Sequence, residues 1–95
     1  MPESPRRVDL RLTIPSYAPY RAVAVELAGR FAEYLGASAG VGKEFAHAVD
    51  AAMQSVADAR PDQPIDMEMS AQGRELVATA ISGSTTNRAT CPLPD

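Results

Sequence analysis

Apolar residues recur along this chain with two periods, and the points where the period changes divide it into elements. Val8, Leu10, Leu12 and Ile14 alternate with Asp9, Arg11 and Thr13, the two-residue repeat of a strand with one buried face. Pro15 closes that strand. Ser16 is the predicted cap of a following helix, and Pro19 falls in its first turn, where a missing N–H costs nothing. From Tyr20 to Leu35 the spacing becomes helical, over roughly 24 Å at about 1.5 Å per residue. Val23, Leu27, Phe31, Tyr34 and Leu35 form the predicted core stripe, with Arg21, Glu26, Arg30 and Glu33 mainly off it. Glu26 and Arg30 are an i,i+4 pair in the favourable order, and Gly36 is the expected stop.

Ser38 is the predicted cap of a second helix that runs to about Ala59. Val41, Phe45, Ala48, Val49, Ala52, Met53 and Val56 fit one face of it, and His47, Asp50, Gln54 and Asp58 fit the opposite, solvated face. Two prolines within Arg60-Pro61-Asp62-Gln63-Pro64 predict a loop. Ile65, Met67 and Met69 then alternate with Asp66, Glu68 and Ser70 as a second strand, and Ala71-Gln72-Gly73-Arg74 supplies a turn. Leu76 to Ile81 reads as the returning strand, apolar on both faces, so either central in the sheet or covering a partner. Residues 85–95 carry no periodicity and are expected to be an irregular tail, and residues 1–7 a disordered leader. The order strand, helix, helix, hairpin predicts an α+β two-layer sandwich over residues 8–84, with two helices on one face of a mainly antiparallel sheet.

Composition narrows the functional classes. At 95 residues the chain suits a single domain, and 45% hydrophobic with 22% charged residues is globular. Aromatics reach 5% with no Trp, so the core must be built from Ala, Val, Leu, Ile and Met. The net charge of -3 and a longest basic run of Arg6-Arg7 give no surface for tracking phosphates, which argues against nucleic acid. No stretch approaches the roughly 20 apolar residues of a bilayer span, and the first five residues lack the apolar core of a signal peptide. One cysteine, Cys91, leaves no internal disulfide framework, and a reducing cytoplasm is the expected compartment.

The residues that could carry chemistry do not assemble into a site. Ala37-Ser38-Ala39-Gly40-Val41-Gly42-Lys43-Glu44 imitates a phosphate-binding loop. However, Ala37 and Glu44 stand where glycine and a magnesium-holding hydroxyl are needed, and it follows a helix instead of a strand. It reads as a helix–helix turn. His47 has no second histidine for a metal, and with Asp50 it makes a surface pair without a nucleophile. Cys91 reads as a bystander thiol in the tail, and Met53, Met67 and Met69 as core. No catalytic residue and no metal ligand are expected.

The layout nevertheless resembles a family. A strand ending Ile14-Pro15-Ser16, a helix closed by Leu35-Gly36, a helix carrying Phe45-Ala46-His47-Ala48-Val49-Asp50-Ala51-Ala52-Met53-Gln54-Ser55-Val56, and a hairpin look like the anti-sigma-factor serine kinases. These belong to the GHKL, or histidine-kinase-like, ATPase fold, and the resemblance covers roughly residues 8–84. In that family the second long helix carries Glu-x-x-x-Asn: the glutamate helps activate a water and the asparagine helps hold magnesium on ATP. Those positions fall on Ala51 and Ser55, a methyl and a hydroxyl, and Asp50 points about 100° away. The family's Asp-x-Gly-x-Gly motif matches Ile81-Ser82-Gly83-Ser84, where Ser82 replaces the aspartate that reads adenine. Ala51, Ser55, Ser82 and Ser84 are thus degenerate counterparts of the family's ATP site, and the glycine-rich lid has no match.

The resemblance therefore implies a truncated scaffold without the chemistry. The expectation is a non-catalytic regulatory module that acts by protein binding, on a sigma factor or a STAS-type anti-anti-sigma protein, with no cofactor. Two alternatives stand beside it. One is an ATP-dependent anti-sigma serine kinase using Mg-ATP in an atypical site. The other is a self-associating subunit, a homodimer with no separate activity.

Overall fold

A computed structural model of the chain describes residues 9–93, so the leader expected at residues 1–7 lies outside the described residues. The alternating segment forms β1 (Asp9–Ile14), and the two helical periods form α1 (Ala18–Tyr34) and α2 (Ala39–Ala59). Then come β2 (Ile65–Gln72), β3 (Glu75–Ser82) and β4 (Thr85–Pro92). The sheet order is β1-β2-β3-β4 with every neighbouring pair antiparallel. Register lines up the buried apolar positions of the four strands on one face. Leu10, Leu12 and Ile14 stand opposite Met69, Met67 and Ile65, and Leu76 and Ala78 stand opposite Cys91 and Ala89. Both helices cover that face, α2 against β3 and β4 and α1 towards β1. The two-layer α+β sandwich read from the element order is the fold of this chain.

The core is shallow and rich in methionine. Met53, Met67, Met69, Phe45, Ile65 and Leu76 are fully buried, each removing apolar surface worth roughly 25 cal/mol per Å². On α2 the expected stripe holds at Phe45, Val49, Met53 and Val56, whereas Ala48 of that stripe is exposed. Ser38 caps α2 as predicted, its Oγ accepting from the Val41 amide at 3.2 Å. Gly40 and Gly42 lie inside α2 and do not form the turn before it; that turn is made by Gly36, at φ 106°.

Three further expectations are corrected. Residues 85–92 are not an irregular tail: they form β4, paired along β3 from Ser82↔Thr85 to Glu75↔Pro92. Its inward positions are Thr85, Asn87, Ala89 and Cys91, of which two are apolar, so no hydrophobic alternation marks it. The turn does mark it: Gly83-Ser84 takes φ 60° at glycine, as Gly73-Arg74 takes φ 62° in the preceding hairpin, the geometry of a type II′ turn. Pro92 sits at the end of this edge strand, where a lost N–H is tolerated.

Ser16 does not cap α1. Tyr17 occupies the cap position without a side-chain bond, and the Ser16 hydroxyl donates to the Pro61 carbonyl, tying the β1–α1 connection to the α2–β2 loop. The third correction concerns the face of α1. Its buried residues are Ala24, Ala28, Gly29 and Ala32, while Val23, Leu27 and Tyr34 of the predicted core stripe point outward. The cause is the closeness of α2. A Cβ on Gly42 would stand 3.1 Å from the Gly29 carbonyl oxygen, so the two backbones nearly touch. Large side chains do not fit in such a crossing, and the alanine ladder takes their place.

Candidate functional site

The four residues expected to match that family's ATP site differ in burial and in bonding. Ala51 and Ser55 are exposed on α2, on the side of the helix turned away from the Gly42 contact with α1. Ser82 is buried on β3, its hydroxyl donating to the Pro64 carbonyl at 3.1 Å. Ser84 lies in the β3–β4 turn and accepts a bond from the Arg60 guanidinium at 2.9 Å. Arg60, at the end of α2, folds over this turn closely enough that a Cβ on Gly83 would come within 2.9 Å of it. Ser82 and Ser84 are therefore each engaged already, one with a loop carbonyl and the other with an arginine side chain.

Cys91 is buried in β4 and packs with the core, which corrects its placement on a loose tail. Burial, with the Glu75 carboxylate adding to it, pushes the thiol's pKa up. It is thereby less nucleophilic, as expected of a core cysteine. His47 and Asp50 are both exposed on α2 as expected. Among the described residues no group of three His, Cys, Asp or Glu side chains could hold a metal ion.

Clefts among the described residues include three of similar size. One of about 320 Å³ lies between the β1–α1 connection and the α2–β2 loop, walled by Ile14, Pro15, Ser16, Tyr17, Gln63 and Pro64. A second, about 380 Å³, runs between α1 and α2 beside Arg21, Glu26, Asp50 and Gln54, and a third, about 410 Å³, continues past Arg30, Glu33 and Lys43. Arg21 donates to the Ser16 carbonyl, while its Nε is buried without a partner. None of the three clefts is walled by Ala51, Ser55, Ser82 or Ser84. Thr13, at the first cleft, donates its hydroxyl to the Asp66 carboxylate at 2.6 Å.

What stands out instead is α1. Tyr17, Tyr20, Val23, Leu27 and Tyr34 are the exposed large hydrophobics among the described residues, at 63%, 50%, 63%, 37% and 81% exposure. All five come from one helix and its cap. Single exposed apolar residues need no explanation, but a contiguous row of them marks an interaction surface. The row is bordered by Glu26 and Arg30, joined at 3.3 Å. Reading the row as core hid this site; the signal that could have revealed it is the small-residue series Ala24, Ala28, Ala32, which shares its period and competes for the same core.

No helix among the described residues is long and apolar enough to cross a membrane. No family model matches the chain, and no curated protein matches it.

Proposed function

We propose that this chain is a non-catalytic regulatory module that acts by binding protein, on a scaffold similar to that of the anti-sigma-factor kinases, with ATP handling lost. The observation that carries the reading is the apolar row on α1. A thin domain that turns tyrosines, a valine and a leucine outward along one helix gains nothing in solution from doing so, and gains affinity when a partner removes them from water. The other support is chemical. Ala51 has no group that can act as a base, Ser55 is a poor ligand for a hard cation, and the Ser82 hydroxyl already donates to the Pro64 carbonyl. The partner classes that fit this reading are a sigma factor and a STAS-type anti-anti-sigma protein. Titration of the purified chain against members of both classes tests it: saturable binding supports the reading, and an inert monomer that binds neither overturns it.

A further inference from the structure

The arginine that closes α2 reaches across to the tip of the last hairpin. Arg60 is half-buried, and its Nη2 donates to the Ser84 Oγ at 2.9 Å. The guanidinium lies over Gly83, in the space where a side chain would stand: a Cβ built there would come within 2.9 Å of Nε and 3.0 Å of Cζ. Gly83 therefore does two things, taking the φ of 60° that the turn needs and leaving room for the cation. The Nε of Arg60 is buried without a hydrogen-bond partner. Among the described residues no carboxylate lies within ion-pair distance of Arg60. A fixed guanidinium thus stands on an exposed serine with part of its donor capacity unused.

We infer that Ser84 is a phosphorylation site and that Arg60 is the receiver for its phosphate. Nε and Nη2 share one edge of the guanidinium, the edge with which arginine grips a carboxylate or phosphate through two parallel N–H bonds. Here one arm of that fork holds a neutral hydroxyl oxygen and the other holds nothing. A phosphate on the same oxygen adds three strong acceptor oxygens, enough to fill both arms. Charge-assisted bonds of this kind are roughly twice as strong as neutral ones, and a buried donor left unmet is costly until it is filled. In the transfer, the Ser84 Oγ attacks the terminal phosphorus of ATP held by a separate protein serine kinase. The bond from that phosphorus to the bridging oxygen breaks, ADP leaves, and the hydroxyl proton passes to the kinase's base.

The neighbouring hydroxyls do not share these features. Ser82 is buried and its hydroxyl already donates to the Pro64 carbonyl. Thr85 is half-buried on the helix-covered face. Ser84 combines exposure at the tip of a two-residue turn with an arginine already on its oxygen. Three charges act against a phosphate here. The C-terminus of α2 lies at Arg60, and its field disfavours an added anion, but it is screened by salt and fades within the last turn. Asp58 and Asp62 flank Arg60 in sequence, and both are exposed, where solvent and salt screen their repulsion. The contact with Arg60 is direct and partly shielded, so it prevails. Phosphorylation then ties the end of α2 to the β3–β4 turn. The site is separate from α1 and does not rest on the proposed function.

Two measurements on the full chain test the inference. Mass-spectrometric mapping of the chain isolated from its own cells, in growth and in stationary phase, is expected to find phosphate on Ser84. Phosphoserine is also placed at position 84 by co-translational incorporation, and its second ionisation is followed by phosphorus NMR. Arg60 should make that ionisation about 3–10-fold more acidic than the roughly pKa 6 of a free phosphoserine. Arg60→Gln should return it to the free value, and Arg60→Lys, which keeps the charge and lacks the fork, should keep part of the shift. The same titration of the wild-type chain in urea needs no variant and should also return the free value. A phosphate that titrates near its free value in the folded chain overturns the inference, as does a shift that survives Arg60→Gln. Phosphate found on other hydroxyls, or nowhere, and never on Ser84 overturns it as well. None of these results bears on partner binding through α1, and an inert α1 leaves the Ser84 assignment standing.

Discussion

The contact between Gly29 and Gly42 fixes how far α1 stands from α2, and the cost of filling it can be worked out. Replacing Gly42 by alanine places a methyl 3.1 Å from the Gly29 carbonyl oxygen and 3.1 Å from the Glu33 Cγ. Glu33 is exposed and can swing aside at little cost. The Gly29 carbonyl is helix backbone and moves only if α1 shifts as a body. Overpacking of this kind costs about 1–3 kcal/mol, against which alanine returns about 1 kcal/mol of helix propensity. The net is a loss of about 1 kcal/mol, or roughly 4–8 °C in Tm for a domain of this size. Gly40 is the internal control. It lies two residues earlier in the same helix, and its added methyl would meet nothing nearer than the Ser38 Oγ at 4.0 Å. Gly40→Ala should therefore stabilise by about 0.4–1 kcal/mol. Urea denaturation of the two variants measures the pair, and opposite signs are expected. A Gly42→Ala protein as stable as Gly40→Ala would refute the close crossing, and with it the explanation of why the large residues of α1 face outward.

Three further outcomes follow from the packing. Met53→Ala, at a fully buried position of α2, should cost about 2–5 kcal/mol by transfer and cavity terms together, read from the same denaturation curves. Gly83→Ala forces a side chain onto a residue at φ 60° and against Arg60, which should cost about 1–2 kcal/mol; a smaller loss would mean that the turn relaxes. The raised Cys91 pKa, from burial first and Glu75 second, means that the unfolded chain gives up this proton before the folded one does. Stability should fall as pH rises past about 8.5, with no contribution below it, and Cys91→Ala should remove that slope in melts taken between neutral and alkaline pH.

The elements legible in the sequence were those in which one physical signal acted alone. β1 and β2 alternate cleanly, Ser38 caps a helix whose large residues face the sheet, and β3, apolar on both faces, is central between β2 and β4. Two signals competed in α1. Val23, Leu27 and Tyr34 carry more hydrophobicity than Ala24, Ala28 and Ala32, yet the core faces the alanines, because backbone proximity at Gly29 and Gly42 limits side-chain size there. Periodicity gives the spacing of a helix face and says nothing of the distance to what it meets. β4 was hidden for a different reason: its inward row holds Thr85 and Asn87 beside Ala89 and Cys91, and strand pairing to β3 supplies what hydrophobic patterning does not. The candidate site was hidden by the first of these effects, since a row taken for core cannot also be read as surface.

The central claim is that this scaffold works by presenting α1 and not by holding a nucleotide. Titration calorimetry of the purified chain with Mg-ATP meets that claim most directly. No saturable heat is expected at micromolar ligand, since Ala51, Ser55, Ser82 and Ser84 offer neither an acid nor an amide. A Mg-ATP complex with micromolar affinity, lost on Ser55→Ala or Ser82→Ala, would contradict it.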